Sequence, residues 1–169
     1  DDGNDFASAT SGTGSIQSET LATAYNNDGN KTIQVQATDT AGNTSTESLT
    51  IAVDTNAPNT PDAPDLVAAS DSGLSDSDDI TSDTKPVFSG TTEANSTVTI
   101  TSNQDGELGT TTADGSGVWT FTPISDMTET NHAITVISTD MAGNESSSSN
   151  TLSITIETTS PTVTIDSLL

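Results

Sequence analysis

The 169-residue chain has no cysteine and no arginine, two lysines, one histidine and five aromatic residues. Each shortage excludes something. Without cysteine no disulfide holds the fold and no thiol does chemistry, although an extracellular home stays open, because disulfides there are permitted rather than required. With one histidine, no arginine and no Gly-x-Ser-x-Gly elbow there is no acid–base or nucleophilic set, so the chain reads as non-catalytic. No glycine-rich loop is built to cradle a phosphate. No apolar run approaches a membrane span, and no signal peptide opens the chain. Basic residues are so few that 25 acidic ones leave a net charge of -23. Such a surface repels nucleic acid and anionic membranes and attracts cations.

Apolar residues are scarce too. Leu, Ile, Val and Phe make up about 18% of the chain, and below roughly 20% with high net charge disorder is the default. The order of the residues argues the other way, because alternating segments and turns recur at regular spacing. Both observations hold if a divalent cation neutralises the carboxylates, which would couple folding to metal.

What the chain does have is a repeat. Lys31-Thr-Ile-Gln-Val-Gln-Ala-Thr-Asp39-Thr-Ala-Gly-Asn43 recurs about 100 residues later as His132-Ala-Ile-Thr-Val-Ile-Ser-Thr-Asp140-Met-Ala-Gly-Asn144. A second alternating segment follows each copy, Ser48–Val53 and Thr151–Ile156. An acidic residue and a Pro-containing linker come next, Asp54-Thr-Asn-Ala-Pro58 and Glu157-Thr-Thr-Ser-Pro161. A period near 100 is the size of one β-sandwich domain. Between the linkers, strands are expected at Pro64–Ala69, Pro86–Gly90, Thr97–Ser102, Leu108–Ala113, Val118–Pro123, His132–Thr139 and Thr151–Ile156. Seven short strands separated by turns predict an all-β, immunoglobulin-like antiparallel β-sandwich. Their shared parity assigns Phe88, Val98, Ile100, Trp119, Phe121, Ile134 and Val136 to its core. Residues 57–158 are then a complete repeat, 1–56 the C-terminal part of an upstream one and 159–169 the start of the next. The alternative is that the first segment is a smaller complete module.

Counting strands assigns the acidic loops to poles. Asp54, Glu93, Asp114 and Asp140 arrive from four segments at the pole where the linker enters, with Asn144 beside Asp140; Asp39 and Asn43 repeat that role upstream. The loop 70–84 supplies Asp71, Asp76, Asp78 and Asp79 at the opposite pole, where Glu157 exits as the counterpart of Asp54. Calcium takes six to eight hard oxygens, and convergent carboxylates repel one another until a cation neutralises them. All twelve residues are therefore candidate calcium ligands. The competing reading is that each Asp only shapes its own turn and that 70–84 is a solvated low-complexity loop. His132 is read as a strand-start residue with no acid or nucleophile at fixed spacing.

Five segments in order carry a family resemblance: Thr60-Pro-Asp-Ala-Pro64, Asp71-Ser-Gly-Leu-Ser-Asp-Ser-Asp-Asp-Ile-Thr81, Lys85-Pro-Val-Phe-Ser-Gly-Thr-Thr-Glu-Ala-Asn-Ser-Thr-Val-Thr-Ile100, Val118-Trp-Thr-Phe-Thr122 and Asp140-Met-Ala-Gly-Asn144. They resemble the bacterial Ig-like repeats in the extender region of giant RTX adhesins and biofilm-associated surface proteins. The resemblance implies a type I-secreted, surface-anchored adhesin whose tandem domains are stiffened by calcium. The expected role is that of an extracellular spacer, monomeric, partnered by neighbouring repeats of its own chain. The rival roles are a module that itself recognises a surface glycan or protein, and an accessory sandwich of a secreted enzyme.

Overall fold

The computed structural model describes residues 28–164, which form ten strands and no helix. The chain divides into two units, Asp1–Asn56 and Ala57–Leu169. The expectations for residues 1–27 and 165–169 lie outside the described residues.

In the first unit β1 (Gly29–Thr38) and β2 (Thr44–Val53) form an antiparallel hairpin, paired without interruption from Gly29↔Val53 to Thr38↔Thr44. The second strand starts four residues before the expected Ser48. Polar alternation fades there, yet each residue finds a ladder partner on β1.

The second unit is a sandwich of two sheets. Its strands are β3 (Asp65–Leu66), β4 (Ile80–Thr81), β5 (Phe88–Thr91), β6 (Thr97–Ser102), β7 (Gly106–Thr112), β8 (Val118–Phe121), β9 (Asn131–Thr139) and β10 (Leu152–Ile156). One sheet runs β4-β10-β9-β6-β7 and the other β3-β5-β8. Alternate side chains point to opposite faces of a strand, so Val98 and Ile100, Ile134 and Val136, and Ile154 and Ile156 line one inner face. Leu66, Phe88, Trp119 and Phe121 come from the other, and all ten are buried. Every residue assigned to the core by parity is in it.

Two expectations are corrected. The strand foreseen over Pro64–Ala69 is only the two-residue β3. The loop 70–84 is not strandless: it contributes β4, which pairs in parallel with β10, Thr155↔Ile80 and Ile156↔Thr81. The sandwich thus has eight strands and one parallel pair rather than seven antiparallel strands. A two-residue strand has no period to read, so alternation could not reveal it.

Hydroxyl groups explain how a chain so poor in apolar residues packs. Along β9, Ser149 Oγ accepts the Val136 N–H and Ser146 Oγ accepts the Ser138 N–H, both at 3.0 Å. The backbone N–H groups of Ser146 and Ser149 donate in return to the carbonyls of Ser138 and Val136. Serine side chains thereby complete a ladder that the irregular stretch 145–150 cannot. Ser138 Oγ also donates to Ser96 Oγ at 2.9 Å, with both residues buried. Buried polar groups satisfied in this way avoid the desolvation penalty that would oppose folding.

Candidate cation sites at the two poles of the sandwich

The loop after β3 is tightly built. Ser70 and Asp71 donate backbone N–H groups to the Val67 carbonyl at 2.7 and 3.2 Å. Thr81 Oγ1 donates to the Ser70 carbonyl at 2.5 Å, and Ser72 Oγ accepts the Ser82 N–H at 2.9 Å. Gly73 is required by close approach, because a Cβ there would lie 2.7 Å from the Ile80 carbonyl oxygen and 3.1 Å from Asp78 Oδ1. The loop is thus pinned at its two ends, while Leu74, Asp76, Ser77 and Asp78 between them are exposed.

Its folding carries Asp71 inward until the residue is 6% exposed. Asp71 Oδ2 accepts the Asp79 N–H at 3.2 Å, whereas Oδ1 is buried without a hydrogen-bond partner. Asp79 takes the left-handed conformation, φ 58°, and its carbonyl accepts the Thr155 N–H at 2.8 Å. Burial, then the neighbouring carboxylates of Asp71, Asp65 and Asp78, hold the Asp79 carboxyl above the usual carboxylate range. Asp76 and Asp78 are exposed. Glu157 is placed beside the loop, its N–H donating to the Thr81 carbonyl at 2.9 Å. The sequence missed Asp65, which enters this group from β3.

At the opposite pole the turn after β5 and the turn after β7 interlock. The Thr92 N–H donates to the Gly117 carbonyl, and the Asn95 N–H to the Asp114 carbonyl. A Cβ on Gly117, at φ +85°, would lie 2.2 Å from the Thr92 carbonyl oxygen. The Asp140–Asn144 loop follows β9 at the same end, since Thr139 pairs with Thr97. Glu93, Asp114 and Asp140 therefore share one pole of the unit, but two of the three carboxylates turn to their own loops. Asp114 Oδ1 accepts the N–H groups of Ser116 and Val118 and the Ser116 hydroxyl. Asp140 Oδ1 accepts the N–H groups of Ala142 and Asn144 at 2.8 Å, and Oδ2 the Asn144 amide at 2.7 Å. Asp39 and Asn43 reproduce that loop in the first unit, with the same donors at the same distances. Side-chain donation from Asn144, Asn43 and Ser116 respectively, supported by the loop N–H groups, holds Asp140, Asp39 and Asp114 below the usual carboxylate range. Asp54 belongs to the first unit, where its Oδ1 accepts the Asn56 N–H at 3.1 Å.

Glu93 instead borders a half-open cleft of about 280 Å³, with Asp62, Asn59, Thr60, Thr91 and Thr92 around it. Thr92 Oγ1 is buried and has no hydrogen-bond partner. Asp62 was not singled out in the sequence, because a lone acid in a Pro-rich linker resembles any turn former. Among the described residues no three His, Cys, Asp or Glu side chains gather closely enough to hold a metal ion by themselves. A cation at either pole would need backbone carbonyls, hydroxyls or water beside one or two carboxylates, a donor set that suits calcium.

His132 is more than a strand-start residue. It is wholly buried, with Nδ1 2.8 Å from Ser102 Oγ and Nε2 2.8 Å from the Thr128 carbonyl. A carbonyl only accepts, so Nε2 carries the proton. Asp105 lies 3.7 Å from the same Nδ1 that meets the serine. In a nucleophilic triad the acid and the serine occupy opposite ring nitrogens; here they share one, and Ser102 is buried. The histidine serves as an internal polar strut.

Two facing sheets with this strand order define an immunoglobulin-like β-sandwich. The profile of the bacterial Ig-like domain family matches residues 57–158, and the chain belongs to that family. Among solved structures it is similar to a tetra-tandem repeat in the extending region of a large adhesion protein, at 22% identity and a TM-score of 0.43, covering 78% of this chain and 32% of that one. It is similar to a BSP domain of a biofilm-associated protein, at 18% identity and a TM-score of 0.37, covering 78% and 20% of the two chains. A third similar structure is a Ca2+-stabilized adhesin that helps an Antarctic bacterium reach out and bind ice, at 24% identity and a TM-score of 0.37, covering 75% and 31%. The chain thus spans less than a third of each of these proteins. Comparison with curated proteins gives no match.

Proposed function

We propose that this chain is a calcium-stiffened spacer of a bacterial cell-surface adhesin, an extracellular segment that projects a binding domain and has no catalytic role. The observation that carries the calcium reading is the Asp71 carboxylate, buried with Oδ1 unpartnered beside acidic neighbours. A buried carboxylate oxygen without a partner costs free energy, and so do crowded like charges. One hard cation relieves both. Asp71 and Asp79 would hold it, with Asp78, Asp65 and Glu157 close by in the chain or fold; at the other pole Glu93 and Asp62 would take the same role. Bound calcium would supply charge neutralisation and a further bridge between segments, which would reduce hinge freedom at the domain's ends.

Melting of the full chain with calcium and with chelator tests this, read by the fluorescence of Trp119, the one tryptophan. Stability should rise with the logarithm of free calcium, by about 2.7 kcal/mol at a hundredfold excess over the dissociation constant. Asp71→Asn should remove most of the response, and magnesium should replace calcium poorly because it demands a small rigid octahedron. Small-angle scattering in the same two conditions should report a more extended chain with calcium. If neither measurement moves, the carboxylates are turn formers only.

A further inference from the structure

The structure contains one device twice that neither the calcium reading nor the turn reading uses. Asp28 and Glu129 occupy the same position in the two copies of the repeat, three residues before Lys31 and His132. Asp28 Oδ1 accepts the Thr55 N–H at 2.8 Å and the Thr55 hydroxyl at 2.6 Å, and Oδ2 accepts the Asn56 amide. Glu129 Oε2 accepts the Thr158 hydroxyl at 2.5 Å; Oε1 accepts the Thr159 hydroxyl at 2.6 Å and N–H at 3.2 Å. Thr55 and Asn56 are the repeat counterparts of Thr158 and Thr159, the second and third residues past the last strand of each copy.

We propose that Asp28 and Glu129 are linker clamps, each fixing the direction in which the chain leaves its domain without any metal. Past Val53 and Ile156 the strands end, and the linker must be aimed by other bonds. Antiparallel pairing supplies the acceptor, because Gly29 faces Val53 and Asn131 faces Thr155. The acid one residue before β1, or two before β9, therefore meets the residues just past the partner strand. The carboxylate differs in length between the copies, and one amide donor replaces a threonine hydroxyl, yet three bonds form in both. Charge-assisted bonds of this kind are stronger than neutral ones. In support, the Thr158 and Thr159 side chains hold Glu129 below the usual carboxylate range, and the Thr55 side chain does so for Asp28.

The test measures linker order in the full chain by amide exchange and backbone relaxation, in calcium and in chelator. Glu129→Ala should speed exchange at Thr159 by about tenfold and drop order parameters over residues 158–160 toward roughly 0.6 or below, in both conditions. The second unit should lose no more stability than the clamp itself accounts for, about 1.4 kcal/mol for a tenfold change. Glu129→Asp should retain much of the order, since Asp28 serves the first copy from the same position. Unchanged exchange and relaxation in Glu129→Ala would overturn the clamp. Loosening seen only in calcium would overturn it too, because the carboxylate would then act as a metal ligand. Loosening accompanied by a loss of stability well beyond that amount would mean that Glu129 supports the fold rather than the linker.

Discussion

The hairpins β1–β2 and β9–β10 share an alternating pattern and the same loop, yet they lead different lives. Val136 is 1% exposed, and its counterpart Val35 is 58% exposed. Ile134 is fully buried, whereas Ile33 is half-buried. Leu49, opposite Ile33 in the ladder, is 60% exposed. The difference is the sheet β3-β5-β8, which covers the inner face of β9 and β10; among the described residues no such sheet covers β1 and β2. Alternation names a face of a strand, but only a second layer makes that face a core.

The largest effect expected from this comparison is in the core. Ile134→Ala should cost about 2–5 kcal/mol, whereas Ile33→Ala should cost under about 1 kcal/mol, because only the first opens a cavity. Denaturant titration, with Trp119 reporting the second unit and amide signals of β1–β2 the first, separates the two. Equal costs would mean that the first hairpin is covered after all.

Glycine sharpens the contrast at smaller scale. Gly117 and Gly42 both have positive φ, but a Cβ on Gly42 meets nothing within 4 Å. Gly42→Ala should therefore cost only the left-handed penalty, about 1–2 kcal/mol. Gly117→Ala adds a collision with the Thr92 carbonyl, which should bring its cost to about 2–4 kcal/mol. The same titrations measure both.

Titration gives the smallest effects, and their signs differ. Asp140 and Asp39 have lowered folded pKa values, so their contribution is present above 3.8 and is lost as pH falls through the folded value. Acid should loosen the two Asp-x-Ala-Gly-Asn loops together. Asp79 has a raised folded pKa, so its charge opposes folding as pH rises from 3.8 through that value. In chelator, Asp79→Asn should raise the melting temperature of the second unit at pH 7, and the gain should vanish near pH 3.8. A gain that persisted at acid pH would mean that charge is not the cause.

Much of this architecture was legible in the sequence because its signals are periodic. Val98 and Ile100, Trp119 and Phe121, and Ile134 and Val136 announce one face each, and the strand count set Glu93, Asp114 and Asp140 at one pole. What stayed hidden depends on single contacts. Ile80-Thr81 is too short to show a period. His132 stands where a surface residue could stand, and only Ser102 and Thr128 show it to be internal. Asp28 and Glu129 were aligned by the repeat all along, but an acid next to a turn carries no mark of its partner. Nothing in the sequence marks Ser146 and Ser149 as the residues whose hydroxyls close the β9 ladder.

The parallel pair β4–β10 has a mechanical consequence. The two strands point the same way, so tension that draws β4 back toward its start and β10 onward toward its end slides them along each other. The bonds Thr155 N–H to Asp79 and Glu157 N–H to Thr81 are then loaded together, in shear, instead of opening one at a time like a zipper. A two-residue strand that adds little to the core thus places a force-bearing latch where the last strand of the domain meets the chain beyond it.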